Sequence, residues 1–252
     1  LLAGVDYSWN RVQKTSGFGY EFIDIYDVDY SSLSDYSGGL PPTFGISTTD
    51  VRQEQLGFYI QDQIRLYDRA SIVLGARRDD VTTEAVGSAD EEADATSLRA
   101  GLIYEIVKGV SPFVSYTESF EPISGINSTG SPFKPKEGKQ YEAGVKFHPD
   151  DVTLVTLTAY NIEESNRPVD DPSTSDPFDQ TQAGGMTSKG FEIEASRLLP
   201  GDYEIIANYS YVDAQIDGTN QQLENVPKHN ASIWATKTIA LPQEASLRLG
   251  GG

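Results

Sequence analysis

The chain of 252 residues suffices for one large domain or two small ones, and its 19 basic against 38 acidic side chains give a formal net charge of −19, which excludes a nucleic-acid binder by bulk charge. Hydrophobic residues make up 38 % and charged residues 23 %, with 23 Gly, 13 Pro, 14 Tyr and 10 Phe, a composition that suits an ordered protein short of aliphatic core. No Cys is present, which excludes a disulfide framework, a thiolate metal site and a cysteine nucleophile, and the longest apolar runs, such as Ile72 to Ala76, fall far below the roughly 18 residues of a membrane helix.

Along the chain the ordered stretches alternate with a period of two, and no helical stripe exceeds two turns, so the fold is predicted to be all-β. The first clear strand sets Leu56, Phe58, Ile60, Ile64 and Leu66 against Gln53, Gln55, Tyr59, Gln61, Gln63 and Arg65, with Asp62 interrupting the apolar face. Leu98, Ala100, Leu102, Tyr104 and Ile106 then oppose Ser97, Arg99 and Glu105. Tyr141, Ala143, Val145 and Phe147 oppose Gln140, Glu142, Gly144 and Lys146. The stretch from Val152 to Ile162 alternates poorly, and its faces stay unassigned. Phe191, Ile193 and Ala195 oppose Glu192, Glu194 and Ser196, and Tyr203, Ile205, Ala207, Tyr209 and Tyr211 oppose Glu204, Asn208 and Ser210.

The connections alternate between short and long. Short ones fall at Tyr67-Asp68-Arg69, Lys108-Gly109, His148-Pro149-Asp150, Leu199-Pro200-Gly201 and Leu241-Pro242-Gln243, and long ones at roughly 13–50, 83–95, 120–137, 163–186 and 216–227. An up-and-down antiparallel sheet with its short turns at one end and its long loops at the other meets this pattern, as a transmembrane β-barrel does. About eleven strands of roughly 9 to 14 residues are expected, close to the length that crosses a bilayer at a tilt. A soluble β-sandwich produces the same alternation within a strand. Long strands, aromatic residues near strand ends (Tyr67, Tyr104, Phe113, Phe147, Tyr203) and one-sided loop length favour the barrel.

The polar face carries Arg65, Arg77, Arg99, Glu105, Lys146, Glu192 and Glu194, groups that suit a wide wet lumen or a polar plug. The chain would then be one arc of a larger barrel, since lipid does not tolerate unpaired strand edges. With Met186 as its only Met and both ends inside predicted strands, it reads as an internal fragment.

Eight strings resemble those of the TonB-dependent siderophore receptors of the Gram-negative outer membrane, most closely the ferrichrome-type receptors for ferric hydroxamates. They are Leu2 to Tyr7 (LAGVDY), Gly57 to Gln63 (GFYIQDQ), Leu74 to Asp79 (LGARRD), Ser111 to Pro122 (SPFVSYTESFEP), Phe133 to Phe147 (FKPKEGKQYEAGVKF), Gly190 to Ala195 (GFEIEA), Asn208 to Ala214 (NYSYVDA) and Val226 to Trp234 (VPKHNASIW). The resemblance implies a transmembrane barrel of about 22 strands with a plugged lumen, of which residues 1–252 form a partial barrel domain lacking the plug and the final strands. It further implies a ferric siderophore as cargo, surrounding outer-membrane lipid and lipopolysaccharide, and energy from the TonB-ExbB-ExbD complex acting on the absent plug. No covalently bound cofactor and no resident metal are implied.

The loop from about Val12 to Asp50 holds Phe18, Tyr20, Phe22, Tyr26, Tyr30, Tyr36 and Phe44, and aromatic faces with phenolic hydroxyls can grip a bulky iron chelate without ligating the iron. In the family an aromatic-glycine-tyrosine string after the GVD strand contributes to the siderophore pocket, and Phe18-Gly19-Tyr20 matches it in place. Phe18, Tyr20 and Tyr26 are the candidate ligand contacts. The competing role is packing of the loop on itself or in the upper aromatic girdle, which is favoured for Tyr26, Tyr30 and Tyr36.

Acidic clusters at Asp24, Asp27 and Asp29, at Glu84, Asp90, Glu91, Glu92 and Asp94, and at Asp170, Asp171, Asp176 and Asp179 lack EF-hand spacing and read as solvated loops. Their charge disfavours capture of a strongly anionic chelate and favours a near-neutral hydroxamate complex. His148 and His229 are the only imidazoles, the first at a short turn beside Pro149 on the end opposite the loops and the second after Pro227-Lys228 at a strand start, so no catalytic constellation is expected. A receptor for another chelate or a cobalamin-like ligand, and a secreted soluble β-protein that binds carbohydrate through the aromatic loop, remain alternatives at this point.

Overall fold

The computed structural model describes residues 1–16, 26, 47–87, 89–175, 179–182, 184–218 and 221–252. In chain order β1 (Leu2–Ser16), β2 (Ser47–Leu66), β3 (Ala70–Ala85), β4 (Glu91–Tyr104), β5 (Val110–Glu121) and β6 (Lys136–Asp150) are each antiparallel to the strand before. β7 (Thr153–Ser165), β10 (Gly185–Leu199), β11 (Tyr203–Ile216), β12 (His229–Ala240) and β13 (Ser246–Gly251) continue the same sheet. β8 (Pro168–Asp170) and β9 (Gln180–Gln182) pair with each other inside the β7–β10 connection. The eleven strands of the main sheet lie in sequence order, the up-and-down antiparallel arrangement expected. β1 and β13 are its two edges, so the barrel is not closed by this chain.

Register carries each face across the sheet, because directly opposed residues lie on the same side. One row runs Leu102, Val114, Ala143, Ala159, Phe191 and Tyr211 over six strands. One residue along each strand, the opposite side carries Gly101, Ser115, Glu142, Tyr160, Gly190 and Val212. Solvent exposure is inverted relative to a water-soluble sheet. Val5, Ile60 and Val114 on the apolar face are 62 %, 51 % and 54 % exposed, whereas Gln53, Asp79 and Thr83 on the polar face are 6 %, 2 % and 3 % exposed. A sandwich hides its greasy face against a second sheet. One continuous sheet of eleven strands in sequence order differs from the two stacked sheets of a sandwich, and the exposed apolar belt meets what a barrel turns to lipid.

The unassigned stretch now has faces. Val155, Leu157 and Ala159 share the apolar side with Phe147, Val145 and Ala143, while Leu154, Tyr160 and Ile162 lie on the polar side with Thr156 and Thr158. Apolar groups on both sides of β7 are what blurred the alternation.

The tight turns sit where expected. Tyr67 and Asp68 take φ of 50° and 53°, and the Arg69 amide donates to the Leu66 carbonyl at 3.1 Å, a two-residue turn whose twist matches the hairpin. Two boundaries differ from the sequence expectation. The principal strands reach 20 residues in β2 and 16 in β3, longer than the 9 to 14 foreseen. The long loop expected at 83–95 is a short link at 86–90, with Thr83 opposite Glu91 and Asp80 opposite Asp94. Backbone pairing does not depend on side-chain charge, and the Arg78–Asp94 ion pair at 2.6 Å ties the acidic ends of the two strands together.

Candidate ligand-binding end of the sheet

The polar face is held by side chains that bond along and across strands. Arg77 on β3 gives two hydrogen bonds to the Asp6 carboxylate, at 2.8 and 2.9 Å, and grips Asp79 at 2.6 and 2.8 Å. Gln55 adds a third donor to Asp79 at 2.7 Å, which satisfies a carboxylate that is almost wholly buried. Further along, Glu142 accepts from Ser115 at 2.8 Å and from Gln140 at 2.5 Å. Such a wall is pre-oriented, because its donors and acceptors are already tied by their neighbours.

At the long-loop end the 122–135 and 166–184 connections are stitched into one rim. Asn127 Oδ1 accepts from the Thr129 and Ser131 amides and from the Thr129 hydroxyl. The Ser128 hydroxyl donates to Asp171 at 2.5 Å, and the Ser128 amide to the Gln180 carbonyl at 2.8 Å. Gln182 bridges by donating to the Lys134 and Asn166 carbonyls and accepting from the Lys134 amide. Phe133 is buried beneath the rim, packed against Gly125. The Ser128 hydroxyl, with the Ser173 hydroxyl and amide, holds the Asp171 carboxyl below its ordinary range, since each donor favours the ionised form.

Below this rim an open cavity of about 530 Å³ is lined by Glu121, Ser124, Lys136, Glu164, Arg167 and Gln180, with Pro122, Ile123 and Pro168 completing its wall. Lys136 pairs with Glu121 at 2.7 Å, and Glu164 stands 3.9 Å from Lys136 and 3.8 Å from Arg167. Its volume falls within the range of small-molecule sites, while its lining is polar and open to one side.

Of the candidate ligand contacts, Phe18 and Tyr20 lie outside the described residues, as do the acids Asp24, Asp27 and Asp29. Tyr26 is described and highly exposed. Other acids disperse rather than converge. Glu91 and Glu92 are consecutive on a strand and so point to opposite faces, Asp94 pairs with Arg78, and Asp171 is taken by the rim serines. Among the described residues no group of three His, Cys, Asp or Glu is placed to hold a metal ion. The two imidazoles stand at opposite ends of their strands. His148 closes the short-turn end through its amide to the Gly109 carbonyl, whereas His229 Nδ1 meets the Tyr209 hydroxyl at 2.8 Å within the Phe191–Tyr209–Tyr211 aromatic cluster. The Arg77 clasp and the Arg167 cavity escaped sequence reading. Alternation places Arg77 and Asp79 on one face, but the contact to Asp6 requires the register of three strands.

The family model described as "TonB dependent receptor-like, beta-barrel" matches residues 2–249. The whole chain aligns with 35 % of the ferrichrome outer membrane transporter/phage receptor of Escherichia coli (strain K12) at 34 % identity. It also aligns over its full length with 36 % of the ferrioxamine B receptor of Salmonella typhimurium at 30 % identity. The chain thus spans about a third of the length of these relatives. Among solved structures, the ferripyoverdine receptor of the outer membrane of Pseudomonas aeruginosa superimposes on 98 % of this chain and 34 % of its own, with TM-score 0.72 and 20 % identity, a likeness of fold.

Proposed function

The chain belongs to the TonB-dependent receptor β-barrel family, and from that premise we infer that the complete protein is an outer-membrane receptor importing a ferric siderophore of the hydroxamate class. The observation that carries the reading is similarity, over the whole of this chain, to receptors named for ferrichrome and ferrioxamine B, both hydroxamates. Residues 1–252 serve as one arc of the barrel domain, with its apolar face against outer-membrane lipid and lipopolysaccharide. A plug and further strands outside this segment complete the receptor, and the TonB-ExbB-ExbD complex drives import through the plug. The ferric siderophore is cargo rather than cofactor, and the protein catalyses no reaction. The family is one of transport receptors, which supports this reading over a soluble carbohydrate binder.

Ligand capture belongs at the long-loop end. Phe18 and Tyr20 supply flat faces and a phenolic hydroxyl to the chelate, with Tyr26 from the same loop as a third contact. The test is titration of the complete receptor, purified in detergent, with ferric hydroxamate and ferric catecholate siderophores while tyrosine and tryptophan fluorescence is followed. Saturable quenching by hydroxamates alone is expected. Binding of catecholates alone, or of neither class, would overturn the hydroxamate reading. Phe18→Ala and Tyr20→Ala should each weaken hydroxamate binding, with Lys108→Ala at the short-turn end as a neutral control. Equal, negligible losses in all three would remove the aromatic contacts.

A further inference from the structure

We propose that Arg167 is a chelate-contacting residue, whose guanidinium donates hydrogen bonds to the oxygen rim of a ferric hydroxamate seated in the cavity below the rim. This rests on the hydroxamate reading above and names a contact outside the aromatic loop.

Placement comes first. Glu121 closes β5, Lys136 opens β6 directly opposite it, and Glu164 lies near the end of β7, opposite Gly138. All three stand on the polar face at the long-loop end, where the cavity of about 530 Å³ opens. Arg167 follows Asn166, which turns the chain with φ of 58°. That turn is pinned on both sides, because the Asn166 side-chain amide donates to the Pro135 carbonyl at 2.9 Å and its own carbonyl accepts from Gln182 at 2.7 Å. Arg167 therefore projects from a backbone already fixed by its neighbours, which lowers the ordering cost of any contact it makes.

Donor capacity comes second. A guanidinium carries five N–H donors in a planar fork. The partners of Arg167 among the described residues are the Met186 sulfur at 3.5 Å, a weak acceptor, and the Glu164 carboxylate at 3.8 Å, beyond hydrogen-bond reach. Lys136 gives one of its three donors to Glu121 at 2.7 Å, and the two that remain have none of the planar fork of a guanidinium. Glu164 lies between the two cations at nearly equal distance and offsets their mutual repulsion without consuming the donors of Arg167. Among the described residues, Arg167 is thus the cavity cation whose planar fork makes no hydrogen bond to an oxygen.

Ligand chemistry comes third. A ferric trihydroxamate presents six iron-bound oxygens of high electron density on a complex of low net charge. Two adjacent oxygens match the parallel donors of a guanidinium better than the point charge of an ammonium. The balanced lining of two carboxylates and two cations suits a near-neutral chelate and gives no net attraction to a strongly anionic one.

The experiment uses the complete receptor titrated with a ferric trihydroxamate, comparing wild type with Arg167→Ala, Arg167→Gln and Arg167→Lys, and records the thermal midpoint of each without ligand. Arg167→Ala and Arg167→Gln should raise Kd about ten- to a hundredfold, the loss of a charge-assisted hydrogen bond, with the thermal midpoint unchanged. Arg167→Lys should recover part of the affinity. Wild-type binding with an unchanged Kd in the Ala and Gln variants overturns the proposal while leaving the hydroxamate reading intact. A lowered midpoint with unchanged Kd also overturns it and assigns Arg167 to a contact with another part of the receptor, such as the plug. Absence of binding by the wild type removes both readings together.

Discussion

Arg77 and Asp6 are 71 residues apart and lie on strands that do not pair, yet their side chains meet at two points across Gly57 on the strand between them. A Cβ at position 57 would lie 2.1 Å from Arg77 Nη2 and 2.7 Å from Asp6 Oδ2, so glycine is what lets the clasp close. Gly57→Ala should part Arg77 from Asp6 and cost no more than about 1 kcal/mol, because the groups it displaces are the ends of two partly exposed side chains that can swing aside. Arg77→Ala should cost more, about 3–5 kcal/mol, because it removes the cation from Asp79, which is 2 % exposed. Replacing Arg77 and Asp79 together by apolar residues should return much of that loss. Denaturant unfolding of the complete receptor in detergent orders these variants. An Arg77→Ala protein as stable as wild type would show that the clasp contributes nothing.

The inverted faces predict how the sheet tolerates a new charge. Val114 lies in the apolar row between Leu102 and Ala143, whereas Thr158 faces the polar side two strands away. Val114→Arg should destabilise the folded receptor by about 2–4 kcal/mol if it lies near the bilayer midplane, and Thr158→Arg by a fraction of that. Equilibrium unfolding from lipid bilayers in increasing aqueous denaturant reads the difference. Equal costs at the two positions would refute the assignment of faces.

The faces were legible from the sequence wherever one side of a strand was uniformly apolar, as with Tyr141, Ala143, Val145 and Phe147. They were illegible on β7, where Leu154, Tyr160 and Ile162 place apolar groups on the polar side. Acidity concealed the strand ends around Glu84 and Glu91, since a hairpin standing clear of lipid needs only its backbone ladder and can carry any charge. β8 and β9 have three residues each, too few to show a period. The candidate site divides in the same way. Local strings point to Phe18 and Tyr20, but the Arg77 clasp and the Arg167 cavity arise from residues that only long-range pairing brings together.

Asp171 gives the rim a pH dependence of defined sign. Its carboxylate joins the two connections by accepting from Ser128 in one and from the Ser173 hydroxyl and amide in the other. These donors lower its pKa in the folded protein, with Ser128 the largest cause. A free Asp carboxyl titrates near about 3.9. Above that value the group is ionised whether or not the rim is formed, so its stabilisation is fully present. As pH falls below about 4 the open rim takes up the proton first, and the stabilisation is progressively lost until pH passes the depressed folded value. Amide-exchange protection at Ser128 and Ser173, corrected for the intrinsic pH dependence of exchange, should therefore be constant from about pH 7 to pH 5 and fall below about pH 4. Asp171→Asn should lower the protection at neutral pH and flatten the profile, and Ser128→Ala should reduce the pH-dependent part by the larger share. A wild-type profile that is flat through pH 3, or one in which Asp171→Asn changes nothing, would mean that this carboxylate does not hold the two connections together.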